Sequence, residues 1–280
     1  MFRDCFVVPC LGTPRNDIKI MIPEKLLKNG LAQMGFPCSE EQVNKFMTFL
    51  LELKKWNRVY NLTALKKDED IIFKHFLDSL LYLKVIPTDR GRGQGSRDKL
   101  NNMNGDKENL SLVSRSPRAE PAGLSSLKIC DVGTGAGFPG IPIKIQRPEI
   151  DITLIEPSRK KTAFLRHIIR ILALDKISVL DERIESLGEE YWKIYDIIVS
   201  RATFKINDFL KKACPYIKEE GVLVLSKGPG ISGEIEKLKN QGSIKKIEGH
   251  ILSLKSGSTC LTAKRNLLIL QCKKIANKPR

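Results

Sequence analysis

Asp131-Val132-Gly133-Thr134-Gly135-Ala136-Gly137, continued by Phe138-Pro139-Gly140, decides how the chain is read. The stretch follows an apolar run at 127–132 and precedes a helical pattern. Glycines in that setting let the backbone take unusual φ angles and come close to a nucleotide-like ligand where a parallel sheet reverses its strand order. Working outward, short apolar runs at 151–155, 177–180, 195–200 and 221–226 alternate with helical patterns, the sequence form of a mostly parallel sheet covered by helices. Two further runs, near 245–254 and 265–273, have no long helix between them and predict a closing antiparallel hairpin. No internal repeat of period 20 to 50 is visible.

Two ligands compete for the loop. Gly135, Gly137 and Gly140 spell the dinucleotide pattern GxGxxG, and Glu156 lies near the distance of a ribose-binding acid. Two features favour S-adenosylmethionine instead. Asp131 stands two residues before Gly133, giving D-x-G-x-G-x-G, in which the acid helps to order the loop and the methionine amino end. Pro139 falls where a dinucleotide fold needs helix N-terminal amides for its pyrophosphate, and proline lacks that N–H. The expected fold is a Rossmann-like, class I S-adenosylmethionine-dependent methyltransferase, with a mostly parallel seven-stranded sheet and an N-terminal helical extension. Asp131, Gly133, Gly135 and Glu156 are candidate donor-binding residues, Glu156 accepting from the ribose hydroxyls. The rival reading of Glu156 is a solvated loop acid.

Ser39-Glu40-Glu41-Gln42 is a capping box, and Val43, Phe46, Met47, Leu50 and Leu51 recur at helical spacing, so a helix is predicted over 39–57. A second is predicted over 69–84, stopping before Pro87. Residues 88–126 are rich in Gly, Ser, Asn, Arg and Asp without apolar periodicity, the pattern of a flexible insertion. The expected organisation is an N-terminal extension at 1–22, a helical segment at 23–87, the insertion at 88–126, and a methyltransferase domain at 127–280 with a basic C-terminal part.

Composition narrows the partner. The chain has 48 Lys and Arg against 32 Asp and Glu, a formal net charge of +16, which favours a polyanion. From Lys237 to Arg280 there are eleven Lys and Arg against one acid, Glu248. Seven cysteines without a CxxC pair, and three histidines at 75, 167 and 250, indicate neither a metal cluster nor a redox dithiol. The odd count and scattered, often apolar settings suit reduced, buried thiols. No apolar run is long enough for a membrane span and residues 1–13 make a poor signal peptide, so a cytoplasmic location is expected.

From about Leu26 to Cys272, apart from the insertion, the sequence resembles the 16S ribosomal RNA guanine-N7 methyltransferases (methyltransferase G, or RsmG/GidB). The matching residues are Trp56-Asn57-Arg58-Val59-Tyr60-Asn61-Leu62-Thr63, His75 to Ser79, Asp131 to Pro142, Lys160, Phe164-Leu165, Arg183-Ile184-Glu185, Ser200-Arg201-Ala202 and Lys227-Gly228. The resemblance implies methylation of guanine N7 in the 530 loop of 16S ribosomal RNA, free or in the small subunit. It implies that Gly133 and Phe138 line the donor, that Ile184 and Glu185 lie near its adenine, and that Arg201 borders donor and substrate. Lys160, Lys161, Arg183, Arg201, Lys227 and Arg265 become candidate RNA contacts. The rival reading of Arg201 is a structural cation paired with an acid, and Trp56, Tyr60 and His75 read as packing residues. Lys160-Lys161 departs from the usual Lys-Arg pair and lacks the planar fork. No general base and no metal are expected, because N7 presents a lone pair and no proton. Two alternatives stay open: a non-catalytic RNA-binding or regulatory module on the same fold, and a nicotinamide-dependent oxidoreductase.

Overall fold

The computed structural model describes residues 23–86, 126–201, 205–228, 233–234, 244–255 and 262–272. The extension expected at 1–22 and nearly all of the insertion expected at 88–126 lie outside the described residues.

Seven strands form one sheet: β1 (Lys128–Val132), β2 (Asp151–Ile155), β3 (Ile177–Leu180), β4 (Tyr195–Arg201), β5 (Ile217–Lys227), β6 (Ile244–Lys255) and β7 (Thr262–Cys272). Their order is β3-β2-β1-β4-β5-β7-β6. The first five are parallel, while β7 runs antiparallel to both β5 and β6, giving the predicted closing hairpin. The order reverses between β1 and β4, so a crevice opens at the carboxyl ends of the neighbouring strands. Three helices accompany this sheet: α5 (Gly140–Gln146), α6 (Arg159–Ile171) and α7 (Ile206–Ala213).

The N-terminal segment lies over one face of the sheet. Helix α1 (Pro23–Met34) and helix α2 (Glu40–Tyr60) come first. Ser39 caps α2 as expected: the Gln42 backbone N–H donates to Ser39 Oγ (3.2 Å), and the Ser39 N–H donates to Gln42 Oε1 (2.9 Å). The same Gln42 side chain donates to the Ile145 carbonyl (2.9 Å), so the cap also clasps α5. The apolar stripe of α2 is buried through Val43, Phe46, Phe49, Leu50 and Leu53. The helix runs to Tyr60, three residues beyond the predicted end, and closes at Asn61 with φ 51°, a left-handed C-cap.

The single helix expected at 69–84 is a composite. It comprises α3 (Asp68–Ile71), a π-helical segment (Ile72–Leu77), α4 (Asp78–Leu80) and a 3-10 turn (Leu81–Lys84). Its Phe76 joins the segment to α2 and to the glycine loop, packing on Phe46 and Phe49 (ring centroids 5.3 Å in each case) and facing Phe138 (6.0 Å), on which Phe49 also stacks (5.2 Å). Tyr82, with no exposed surface, donates to the Ser200 carbonyl at the end of β4 (2.9 Å). Burying rings of this size contributes about 2 to 3 kcal/mol each relative to exposure.

One expectation about cysteines is corrected. Cys130 is buried and free, but Cys214 and Cys272 are joined by a disulfide with Cα atoms 6.2 Å apart. They are 58 residues apart and meet because β7 returns antiparallel beside β5. Spacing along the chain carries no trace of that encounter.

Candidate functional site

The glycine loop leaves β1 at Val132 and crosses to β2, where the Gly133 and Thr134 N–H groups both donate to the Ile155 carbonyl (2.9 and 3.2 Å). Gly133, Gly135 and Gly137 have φ of 69°, 63° and 95°, conformations that L side chains rarely adopt. Gly137 has a second constraint, since a Cβ there would fall 2.4 Å from Ile141 Cδ1.

Asp131 organises the loop from beneath. It has no exposed surface, and its Oδ2 accepts from Thr134 Oγ1 (2.6 Å) and from the Gly140 N–H (2.8 Å). Burial pushes its carboxyl up to about 6, against the pull of those two hydrogen bonds and of Arg201. Gly140 is the first residue of α5. The helix-terminal amide that a dinucleotide pyrophosphate would use is therefore already held by a carboxylate, and Pro139 before it has none to offer.

Glu156, just past β2, is 5% exposed and also turned onto the loop. Its Oε2 accepts from the Gly135 N–H (2.9 Å) and its Oε1 from the Ser158 N–H (3.1 Å), with Lys161 Nζ 3.9 Å away. A carboxylate has about four acceptor positions, so two stay available to hydroxyl donors.

Beside these groups lies a cavity of about 340 Å3, within the range of small-ligand sites. Gly133, Glu156, Lys161, Arg183, Ile184 and Glu185 all line it, which brings six of the sequence candidates together. Buried Ile184 forms an apolar wall, and Lys212 of α7 donates to Glu185 Oε1 (2.8 Å) across the mouth. Burial works against the charge on Glu185, yet Lys212 and a backbone N–H hold its carboxyl below the usual range. Nothing in the sequence pattern singles out Lys212. It is 27 residues from Glu185, and only the turn of α7 back over the strand ends brings it there.

Phe138 and Arg201 fall outside this wall. The Phe138 ring is buried between Phe49 and His75, stacked on the imidazole at 4.4 Å, with the Arg201 guanidinium 5.2 Å from its centroid. Arg201 donates to His75 Nδ1 (3.0 Å) and to the Lys74 carbonyl (3.2 Å), and lies 3.6 Å from the buried Asp78 carboxylate. A guanidinium can only donate, so His75 carries its proton on Nε2 and donates it to Thr63 Oγ1 (2.7 Å). These contacts fit the structural-cation reading of Arg201: they tie the end of β4 to the π-helical segment, with Phe138 packed beneath the guanidinium.

Of the remaining basic candidates, Lys160 is exposed on α6, and Lys227 ends β5 with its Nζ 3.6 Å from Glu234. Arg265 pairs with Leu252 in the β6–β7 ladder, and its side chain lies outside the described residues. Among the described residues, no three His, Cys, Asp or Glu side chains converge as a metal site, and no helix is long and apolar enough to cross a membrane.

The sequence profile of the family described as GidB, rRNA small subunit methyltransferase G, matches residues 42–95 and 111–267. The ribosomal RNA small subunit methyltransferase G of Acetivibrio thermocellus is 36% identical over 214 residues, 76% of this chain and 74% of the relative. That of Geobacter sp. strain M21 is 33% identical over 222 residues, 79% of this chain and 85% of the relative. Among solved structures, TYW2 of M. jannaschii in complex with AdoMet aligns with a TM-score of 0.43 at 18% identity, over 54% of this chain and 70% of that one.

Proposed function

Because the chain belongs to the rRNA small subunit methyltransferase G family, we propose that it transfers a methyl group from S-adenosylmethionine to N7 of a guanine in the 530 loop of 16S ribosomal RNA. The observation that carries this reading is the cavity where Gly133, Glu156, Ile184 and Glu185 meet. The donor supplies an activated methyl on a sulfonium. Gly133 leaves room for its close approach, Glu156 keeps acceptor capacity for ribose hydroxyls, and Ile184 offers an apolar face to adenine.

Guanine N7 holds an in-plane lone pair and no proton, so these residues need only align nucleophile and methyl group and exclude water. Two of the cations that line the cavity, Lys161 and Arg183, suit the approach of an RNA backbone. Asp131 supports the loop rather than the reaction.

The reading extends to the division of the chain into 1–22, 23–87, 88–126 and 127–280, to the assembled small subunit or its free 16S RNA as partner, and to a cytoplasmic location. The nicotinamide alternative is disfavoured because the Gly140 amide already serves Asp131. Mass mapping of small-subunit RNA from cells with and without the protein tests the function: N7-methylguanine in the 530 loop should vanish with it. An unchanged methylation pattern would refute the function, and donor binding without turnover would favour the non-catalytic module.

A further inference from the structure

Helix α6 carries five Lys and Arg and no acid. Three of them, Arg159, Lys160 and Lys161, occupy the first turn, where the helix dipole favours negative charge, and Ser158 makes no side-chain cap there. Helix stability alone would select the opposite pattern. Arg159, Ala163, Arg166 and Arg170 are exposed and fall on one strip at helical spacing, away from the buried Phe164, Leu165 and Ile168.

The strip ends at a second cavity of about 390 Å3, beside the edge strand β3. Ile169, Leu174, Ile177 and Val179 give it apolar walls, with Arg166 and Arg170 contributing guanidinium groups and Asp175 one carboxylate against those two cations. Arg166 is paired with Asp181 (3.2 Å), whereas Arg170 has no ion pair among the described residues. The turn that shapes this end holds Ala173 and Lys176 at φ of 46° and 50° without glycine, a conformation costing about 1 to 2 kcal/mol per residue.

We infer that this cavity takes an unpaired nucleotide of the RNA substrate, at a distance from the methylated guanine. The apolar walls suit the face of a base, Arg170 suits its phosphate, and the basic strip of α6 carries the intervening backbone. From Lys161 at the donor cavity to Arg170 the helix rises about 14 Å, roughly four nucleotides at ~3.4 Å each. The inference rests on the proposed RNA methylation and adds a second point of attachment to it. The apolar groove and open strand edge could equally accept a protein segment, but a strip of uniform positive charge favours a polyanion.

The test uses the full-length protein and its Arg170→Glu variant, with a naked small-subunit RNA fragment, the assembled subunit, and a short RNA ending two nucleotides from the target guanine. The variant should bind the naked fragment about tenfold more weakly, with a salt slope lower by about 1. Affinity for adenosylmethionine, and binding of the short RNA, should match the wild type. Unchanged affinity for the naked fragment would overturn the site. Weakened binding to the assembled subunit alone would assign the groove to a protein. A wild-type protein that binds no small-subunit RNA would instead overturn the function, and this site with it.

Discussion

Replacing Asp131 by Asn removes a negative charge from a position with no exposed surface while keeping an oxygen to accept from Thr134 and Gly140. Burial raises this carboxyl from the usual 3.8 to about 6, and a rise of that size corresponds to about 3 kcal/mol of differential interaction between its charged and neutral forms. Between about pH 4 and 6 the folded protein holds a proton that the unfolded chain has released. Wild-type stability therefore falls by up to about 3 kcal/mol as pH rises through that window, and this contribution is level above it. The Asn variant lacks that slope. Its amide replaces Oδ1, which has no hydrogen-bond partner among the described residues, and leaving those N–H groups unpaired costs about 1 to 3 kcal/mol. The variant should be less stable than wild type at pH 4 and equal or slightly more stable at pH 7.5. Urea unfolding of both proteins from pH 4 to 8 isolates the residue, because titrating groups that do not interact with Asp131 cancel in the difference. Parallel stability curves would refute the argument.

Gly133→Val places a branched side chain at φ 69° against the cavity wall, so calorimetry should show donor affinity lower by at least about tenfold in a folded protein; unchanged affinity would displace the donor from this cavity. Arg201→Ala leaves Asp78 and His75 without the guanidinium and should cost about 1 to 3 kcal/mol in urea unfolding, with Arg201→Lys recovering only part because it cannot make the fork. Full stability of the alanine variant would return Arg201 to a role at the reaction. Ala173→Gly relieves φ 46° at the end of α6 and should raise stability by about 0.5 to 1 kcal/mol, read as a higher Tm; a lower Tm would contradict the strain assigned to that turn.

The sheet is legible in the sequence because each parallel strand is an apolar run bounded by polar turns, and β2 and β3 fall where those runs begin and end. β5 starts four residues before its expected onset at 221, since Lys218, Glu219 and Glu220 interrupt the apolar signal while the backbone stays extended. The 69–84 helix reads as uniform because side-chain periodicity does not register the wider turn at Ile72–Leu77. At the site, Gly133 and Gly135 are readable because backbone geometry demands glycine at those positions. Phe138 and Arg201 are not readable from their neighbours. Their partners Phe49, His75 and Asp78 lie more than 60 residues away, and folding alone chooses between a ligand contact and a packing contact.

The position of β7 between β5 and β6 imposes an order on biosynthesis. β6 pairs with β7 alone, so when it is synthesised it has no strand to join. Seventeen residues separate the end of β6 from the end of β7, roughly one to three seconds of elongation. For that interval the outer edge of β5 is open as well. The segments around the first cavity, from Gly133 to Lys212, and the helices packed over them have all been made by then. The segments of the small-molecule half are therefore synthesised before the strand that closes the sheet, and the newest strand is the wedge that completes it.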